Sequence, residues 1–298
     1  MRVLVITSSF PRGPNDVSGR FIAEWCQHLQ RLGHDFDVLT WSSSDSDLEE
    51  TGAEFGEVEV ERVRYAPREF ERLFYGAGVP ENVAREPWLL VLTVPAVAAM
   101  LRRALGRAET GEYDAVVGHW LVPGGLVARI VGAASGLPSV VVGHSGGVHT
   151  VASLPGPLAE PLVEFLAEGV MTVSAKTLAD KLRKVSSSVD PIVLPMGFEP
   201  FEVERERQLR RDWLFMGRLV DIKGVDLAIE AFGRADLPDD VALHIAGDGP
   251  LRGKLGDMAQ DCDGTIEFHG FVTGEAKREI LASCGFGVFP SRRLGSGR

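Results

Sequence analysis

Three short runs in this 298-residue sequence carry the residue types of reactive or ligand-binding sites, and each has a plainer reading. Gly143-His144-Ser145-Gly146-Gly147 fits G-x-S-x-G, the turn that lifts a nucleophilic serine above a strand end, and it follows the apolar run 139–143. Such a serine needs a helix directly behind it. Val148 to Leu154 is instead rich in β-branched residues and runs into Pro155 and Pro157, with no backbone-donating His-Gly-Gly run upstream. An α/β serine hydrolase using Ser145 is therefore the weaker reading. Gly247-Asp248-Gly249-Pro250 sits at a strand-to-helix junction as a dinucleotide turn would, but Gly253 falls one residue late for G-x-G-x-x-G. The first strand leads into Thr7-Ser8-Ser9-Phe10-Pro11, which argues against a nicotinamide enzyme. Asp45-Ser46-Asp47 has metal-ligand types in a serine- and acid-rich loop that reads as solvated. Arg218 and Lys223 form a basic pair around a strand end and the next helix start; alone, such a pair also reads as solvated.

Behind these residues runs an alternating pattern. Apolar residues 2–7 are followed by a helical face of Phe21, Ile22, Trp25, Leu29 and Leu32, closed by Gly33. Strand-like runs follow at 36–41, 58–65, 114–118, 139–143, 170–174 and 191–194, mostly separated by helical segments. The charged stretch 198–212 interrupts the pattern, which then restarts. Strands at 213–217, 241–246, 265–269 and 286–289 alternate with helices at 224–235, 250–261 and 273–283. This order predicts an α/β protein with two Rossmann-like parallel-sheet domains facing a cleft, residues 1–200 and 208–298. Ligands of such sheets bind beyond the carboxyl ends of the strands, so the loops there are where chemistry belongs.

Composition narrows the functions. A formal net charge of −11 argues against a broad nucleic-acid footprint, and 45% apolar with 24% charged residues is an ordinary globular balance. Cys26, Cys262 and Cys284 form no C-x-x-C pair, which fits a reducing, cytoplasmic setting. No signal peptide is legible, since Pro11 and Arg12 end the first apolar run early. The apolar stretch Trp88 to Leu101 is short of the ~20 residues that span a bilayer and reads as a buried helix. The alternative is a helix lying on a membrane surface, giving peripheral contact with the inner face of a membrane.

The runs in the second block are individually ordinary: Phe215-Met216-Gly217-Arg218-Leu219, Lys223-Gly224-Val225-Asp226, Ile229-Glu230-Ala231-Phe232, Ile245 to Pro250, Phe268-His269-Gly270-Phe271-Val272 and Val288-Phe289-Pro290-Ser291. In this order they resemble the donor domain of retaining GT-B glycosyltransferases of family 4. The first block agrees. Ser18-Gly19 with the following helix and Leu32-Gly33-His34 resembles that family's opening loop, with Ser18 in place of a first glycine. Gly118-His119-Trp120 through Gly125 resembles its histidine loop, and Met171 to Ser174 and Leu194 to Phe198 resemble two of its strand ends. His144 stands where many members have His-Gly-x-Asp, but the aspartate is missing here.

The resemblance implies transfer of a sugar from a nucleoside diphosphate to a glycan, lipid or small-molecule acceptor, with retention and without a metal or further cofactor. It also implies an acceptor-side first domain and a partial donor domain in the second. Arg218 and Lys223 would stabilise the departing diphosphate, an Arg fork taking two phosphate oxygens and Lys acting as a point charge. Gly19 would let backbone approach the diphosphate, Gly217 would belong to the same donor site, and Gly270, Phe271 and Val272 would lie near the base. His119 would contact the transferred sugar; Tyr75, Glu81, Asn82 and His144 are candidate acceptor contacts. The run Pro290 to Arg298 resembles the loop leading into a Glu-Gly-x-Pro segment that does not follow here. Little transferase activity is therefore expected of this form, and a nucleotide-sugar-binding module without activity is the alternative.

Overall fold

Near-continuous apolar runs such as Val3-Leu4-Val5-Ile6 and Val140-Val141-Val142 suit strands buried on both faces. They form two parallel sheets in this structure, a computed structural model that describes residues 1–13, 16, 18–44, 58–75, 78–197 and 211–292. The chain divides into two compact units, Met1–Phe198 and Glu199–Arg298. Asp45-Ser46-Asp47 and most of the charged stretch 198–212 lie outside the described residues.

In the first unit β1 (Arg2–Thr7) is followed by α1 (Arg20–Gln30), β2 (Asp35–Trp41), β3 (Glu59–Val63), α2 (Val79–Arg85) and α3 (Thr93–Ala108). Then come β4 (Ala115–His119), α4 (Leu126–Ser135), β5 (Ser139–Gly143), α5 (Ser145–Ala152), α6 (Gly156–Ala167), β6 (Val170–Val173), α7 (Lys176–Val185) and β7 (Ile192–Val193). The sheet order is β3-β2-β1-β4-β5-β6-β7. The chain leaves β1 toward β2 and returns on its other side as β4, so the order reverses between β1 and β4. Leu4, Ile6, Leu39 and Trp41 pack with Met100 of α3 and Val127 and Val131 of α4 on one face. Val3, Val5 and Val38 pack with Ile22 and Cys26 of α1 on the other.

Two sequence expectations are corrected here. The stretch 88–101 is not a buried helix: a 3-10 turn, Pro87–Leu92, runs into α3, and only the stripe Leu89, Ala96, Met100, Ala104 and Ala108 is buried. Trp88, Leu90, Val91 and Val94 are exposed, Val94 to 77%. The whole segment Pro87–Ala108 is long and apolar enough to cross a membrane, although one side of it packs against the sheet. The segment behind Ser145 is also helical. Val148 and Val151 of α5 are fully buried with Leu121 and Val163, so tertiary packing overrides their weak helix propensity.

The second unit runs β8 (Trp213–Met216), α8 (Val225–Arg234), β9 (Ala242–Ala246), α9 (Arg252–Gln260), β10 (Thr265–Gly270), α10 (Gly274–Ser283) and β11 (Phe286–Gly287). Its order is β10-β9-β8-β11, so the reversal lies between β8 and β11. The face under α8 and α9 has a full core that includes Phe215, Ile229, Phe232, Leu243, Ile245 and Leu255. On the α10 face only Leu214, Ala246, Ile280 and Cys284 form a buried cluster among the described residues.

Candidate functional site

Open parallel sheets form a crevice at the carboxyl ends of the strands where their order reverses. In the first unit the loops at that place follow β1 and β4. The loop after β1 carries Gly19, which caps α1 at φ 74. A Cβ there would lie 2.2 Å from the Ser9 carbonyl oxygen, so the fold of the loop on itself already requires glycine. Asp16 organises the same loop: one carboxylate oxygen accepts the Ser18 N–H at 2.9 Å, the other the Arg12 guanidinium. Burial works against that carboxylate, but the Arg12 and Ser18 hydrogen bonds hold it below the usual range.

At the end of β4, His119 is 0% exposed, with Trp25 edge-on at 5.2 Å. Its Nδ1 lies 3.0 Å from Nε2 of His144, which stands just beyond the neighbouring strand β5. Phe21 and Trp120 pack edge-on against His144 at 5.0 and 4.7 Å. Burial pushes His144 down to about 4, and burial plus its neighbour holds His119 well below the ordinary histidine value. Both rings are therefore neutral at pH 7. His119 Nε2 and Trp120 Nε1 are buried without a hydrogen-bond partner. Trp120 also holds a left-handed backbone, φ 70 and ψ 140, which L residues avoid.

The other first-unit candidates do not gather around this pair. Tyr75, expected as an acceptor contact, is buried, and its hydroxyl meets Thr40 Oγ1 at 3.1 Å, Arg62 at 2.8 Å and the Phe10 carbonyl at 3.2 Å. Asn82 donates to the carbonyls of Leu73 and Tyr75. Both side chains are thus engaged in internal hydrogen bonds, while Glu81 is exposed on α2. Ser145 is exposed with a helix behind it, yet it makes no side-chain hydrogen bond among the described residues. The histidines beside it in sequence are engaged, His144 with His119 and His149 with Lys181. Ser145 thus lacks the base a nucleophile needs.

In the second unit the reversal point is flanked by the loops after β8 and β11. Arg218 is exposed and Lys223 half-buried, and neither forms an ion pair with a described residue. Gly217 and Leu219 donate to the carbonyls of Ala246 and Asp248, each at 2.9 Å. That closeness fixes Gly247, where a Cβ would lie 1.8 Å from the Gly217 oxygen. The glycines of Gly247-Asp248-Gly249 therefore serve loop-to-loop packing. On the opposite side, Arg292 after β11 donates to the Asp221 carbonyl at 2.6 Å and grips both carboxylate oxygens of Asp226. Its backbone N–H also bonds the Ile222 carbonyl at 2.8 Å. The turn bearing Lys223 is thus clamped from the next strand. Gly270 ends β10, followed by the exposed Phe271 and by Val272, which packs toward α10.

Sequence reading missed Asp16, Arg292 and the pairing of the two histidines. The pairing had a legible signal, because each histidine ends an apolar run and those two runs make adjacent parallel strands. Asp16 and Arg292 had none.

Comparison with known proteins agrees with this architecture. Residues 18–196 match the profile of the glycosyl transferase 4-like domain, and residues 210–298 that of the glycosyl transferases group 1. An uncharacterized glycosyltransferase of Methanocaldococcus jannaschii is 24% identical over 98% of this chain and 75% of its own length. Among solved structures, Anabaena Alr3699/HepE in complex with UDP and glucose is similar at a TM-score of 0.62 and 14% identity, over 98% of this chain and 74% of that one. The lipopolysaccharide outer core galactosyltransferase WaaB, in its apo form, is similar at 0.60 and 12% over the same shares. With one profile on each unit and this sheet architecture in both, the chain belongs to the group 1 glycosyltransferases of GT-B type.

Proposed function

We propose that the chain moves a sugar from a nucleoside diphosphate to a hydroxyl of a glycan, lipid or small-molecule acceptor, with retention of anomeric configuration. The observation that carries this reading is the pair Arg218 and Lys223, set after β8 beside the reversal point and free of protein counter-charges among the described residues. Two uncompensated cations on a rigid strand-to-helix turn suit a diphosphate. In the reaction the bond from the anomeric carbon to the diphosphate oxygen breaks, and its electron pair leaves on that oxygen. Arg218 and Lys223 stabilise the charge as it develops. The acceptor oxygen bonds the anomeric carbon from the same face and passes its proton to the departing phosphate. No side chain is assigned as a nucleophile.

On the first unit, the unpaired Nε2 of the neutral His119 is assigned a hydrogen bond to a sugar hydroxyl. A buried nitrogen without a partner costs about 1–3 kcal/mol, a deficit that a ligand hydroxyl would relieve.

The UDP bound by the Anabaena protein makes UDP the first probe. A thermal-shift screen against UDP, GDP and ADP sugars identifies the base. Arg218→Ala and Lys223→Ala should each weaken nucleoside-diphosphate binding about tenfold or more while leaving nucleoside binding nearly unchanged. Equal losses for both ligands would overturn the diphosphate assignment.

A further inference from the structure

We propose that the second unit holds a transition-metal site of the zinc class on its sheet edge, formed by His244, Glu267 and His269. These residues come from the neighbouring strands β9 and β10, where Glu267 is the register partner of His244. Between Phe268 and Gly270 the pairing slips, leaving His269 as an extra residue opposite no partner. Such a bulge re-aims a side chain, and here it brings His269 over His244, with the ring centroids 5.1 Å apart.

Three potential ligand atoms converge. His244 Nδ1 and His269 Nε2 are 2.9 Å apart, and one Glu267 oxygen lies 3.4 Å from the first and 3.8 Å from the second. Two ligands of a tetrahedral ion at zinc-to-nitrogen or zinc-to-oxygen distance are separated by about 3.3 Å, so this triangle needs only small side-chain shifts to close on a metal. The remaining nitrogen of His244, Nε2, faces Asp212 Oδ2 at 3.8 Å, and the other Asp212 oxygen is fixed by the Ala242 N–H at 2.8 Å. A carboxylate behind a ligating imidazole sets its tautomer and raises its basicity. Two imidazoles and one carboxylate suit zinc, cobalt or nickel and are a poor set for magnesium or calcium.

The site is partly open, with the His244 side chain 13% and the Glu267 side chain 52% exposed, which leaves room for water as a fourth ligand. Its consequence is mechanical. The ion would pin the outermost strand β10 to β9 just before Gly270 and Phe271, and it takes no part in sugar transfer.

The test uses the whole chain, stripped with a chelator and titrated with Co2+ and Zn2+ by absorbance and equilibrium dialysis. One metal per chain is expected, with the intense visible absorption of tetrahedral cobalt and a higher Tm. His244→Asn with His269→Asn should abolish the band and lower the stoichiometry to zero. Glu267→Gln, which leaves both imidazoles in place, should weaken binding at least tenfold. His119→Asn should change neither the band nor the stoichiometry. No binding would overturn the proposal, as would an octahedral spectrum or a stoichiometry that survives the double substitution.

Discussion

Around the reversal point of the first sheet the loops carry aromatic rings and two buried neutral histidines. Around that of the second they carry an exposed arginine and a half-buried lysine on a glycine-rich backbone. The four-stranded sheet repeats the order of the first four strands of the seven-stranded one, yet the first excludes water from its polar groups and the second leaves its charges in reach of it. The difference is chemical. Neutral rings discriminate hydroxyls by hydrogen-bond geometry, which needs desolvation. A diphosphate is met by charge, and a solvated Arg or Lys meets it without the penalty of burying a lone cation.

Backbone intimacy in the second unit gives the largest effect for breaking the comparison. Gly247→Ala places a methyl 1.8 Å from the Gly217 oxygen, so we expect a loss of about 3 kcal/mol or more and collapse of the Arg218 loop. Gly270→Ala is the control: φ is 67, but a Cβ there meets nothing within 4 Å, so the cost should be only about 1–2 kcal/mol. Urea unfolding followed by far-ultraviolet circular dichroism reads both. Similar losses at the two positions would mean that strain alone, and not the loop contact, governs this region.

Acid should act on the first unit. His144 is held at about 4 in the folded chain against an ordinary value of 6.5. The unfolded chain therefore takes up a proton between pH 6.5 and 4 that the folded pair refuses. This contribution is fully present above pH 6.5 and is lost as pH falls toward 4. Between pH 7 and 4.5 it amounts to about 2–3 kcal/mol, and His119, also held well below its ordinary value by burial and by His144, adds in the same direction. His144→Gln should flatten that slope in urea midpoints taken across the range; an unaltered slope would mean the pair is open to water.

The expected effect of Arg292→Ala is smaller. Its pair with Asp226 is partly exposed and screened by solvent, so stability should fall only slightly. Diphosphate affinity should drop a few-fold because the turn bearing Lys223 loosens, while nucleoside affinity holds. Calorimetric titration of both ligands separates this from general unfolding, which would weaken both.

How much of this was legible follows the range of each interaction. The strand and helix order could be read because periodicity is local, and the place of Arg218 and Lys223 came with it. The helix at Ser145 was misread because Val148 and Val151 favour strands in isolation and become helical only through packing against Leu121 and Val163. The buried ties of Tyr75 were not legible because its hydroxyl's partners lie 13 to 65 positions away, and no spacing rule reports such contacts. Arg292 and Asp226, 66 residues apart, were hidden for the same reason.

Tyr75 has a further consequence. Its hydroxyl joins the Phe10 peptide after β1, Thr40 on β2 and Arg62 on β3, while Arg12 lies over its ring at 4.7 Å. One phenol therefore acts as a latch for the entry to α1, and the order of the loop around Gly19 depends on a residue far downstream. With the latch filed off, as in Tyr75→Phe, the ring still fills its pocket but the Phe10 peptide loses its two hydrogen bonds to the phenol. Amide exchange at Phe10 should then quicken relative to the unaltered chain, while the sheet behind stays whole.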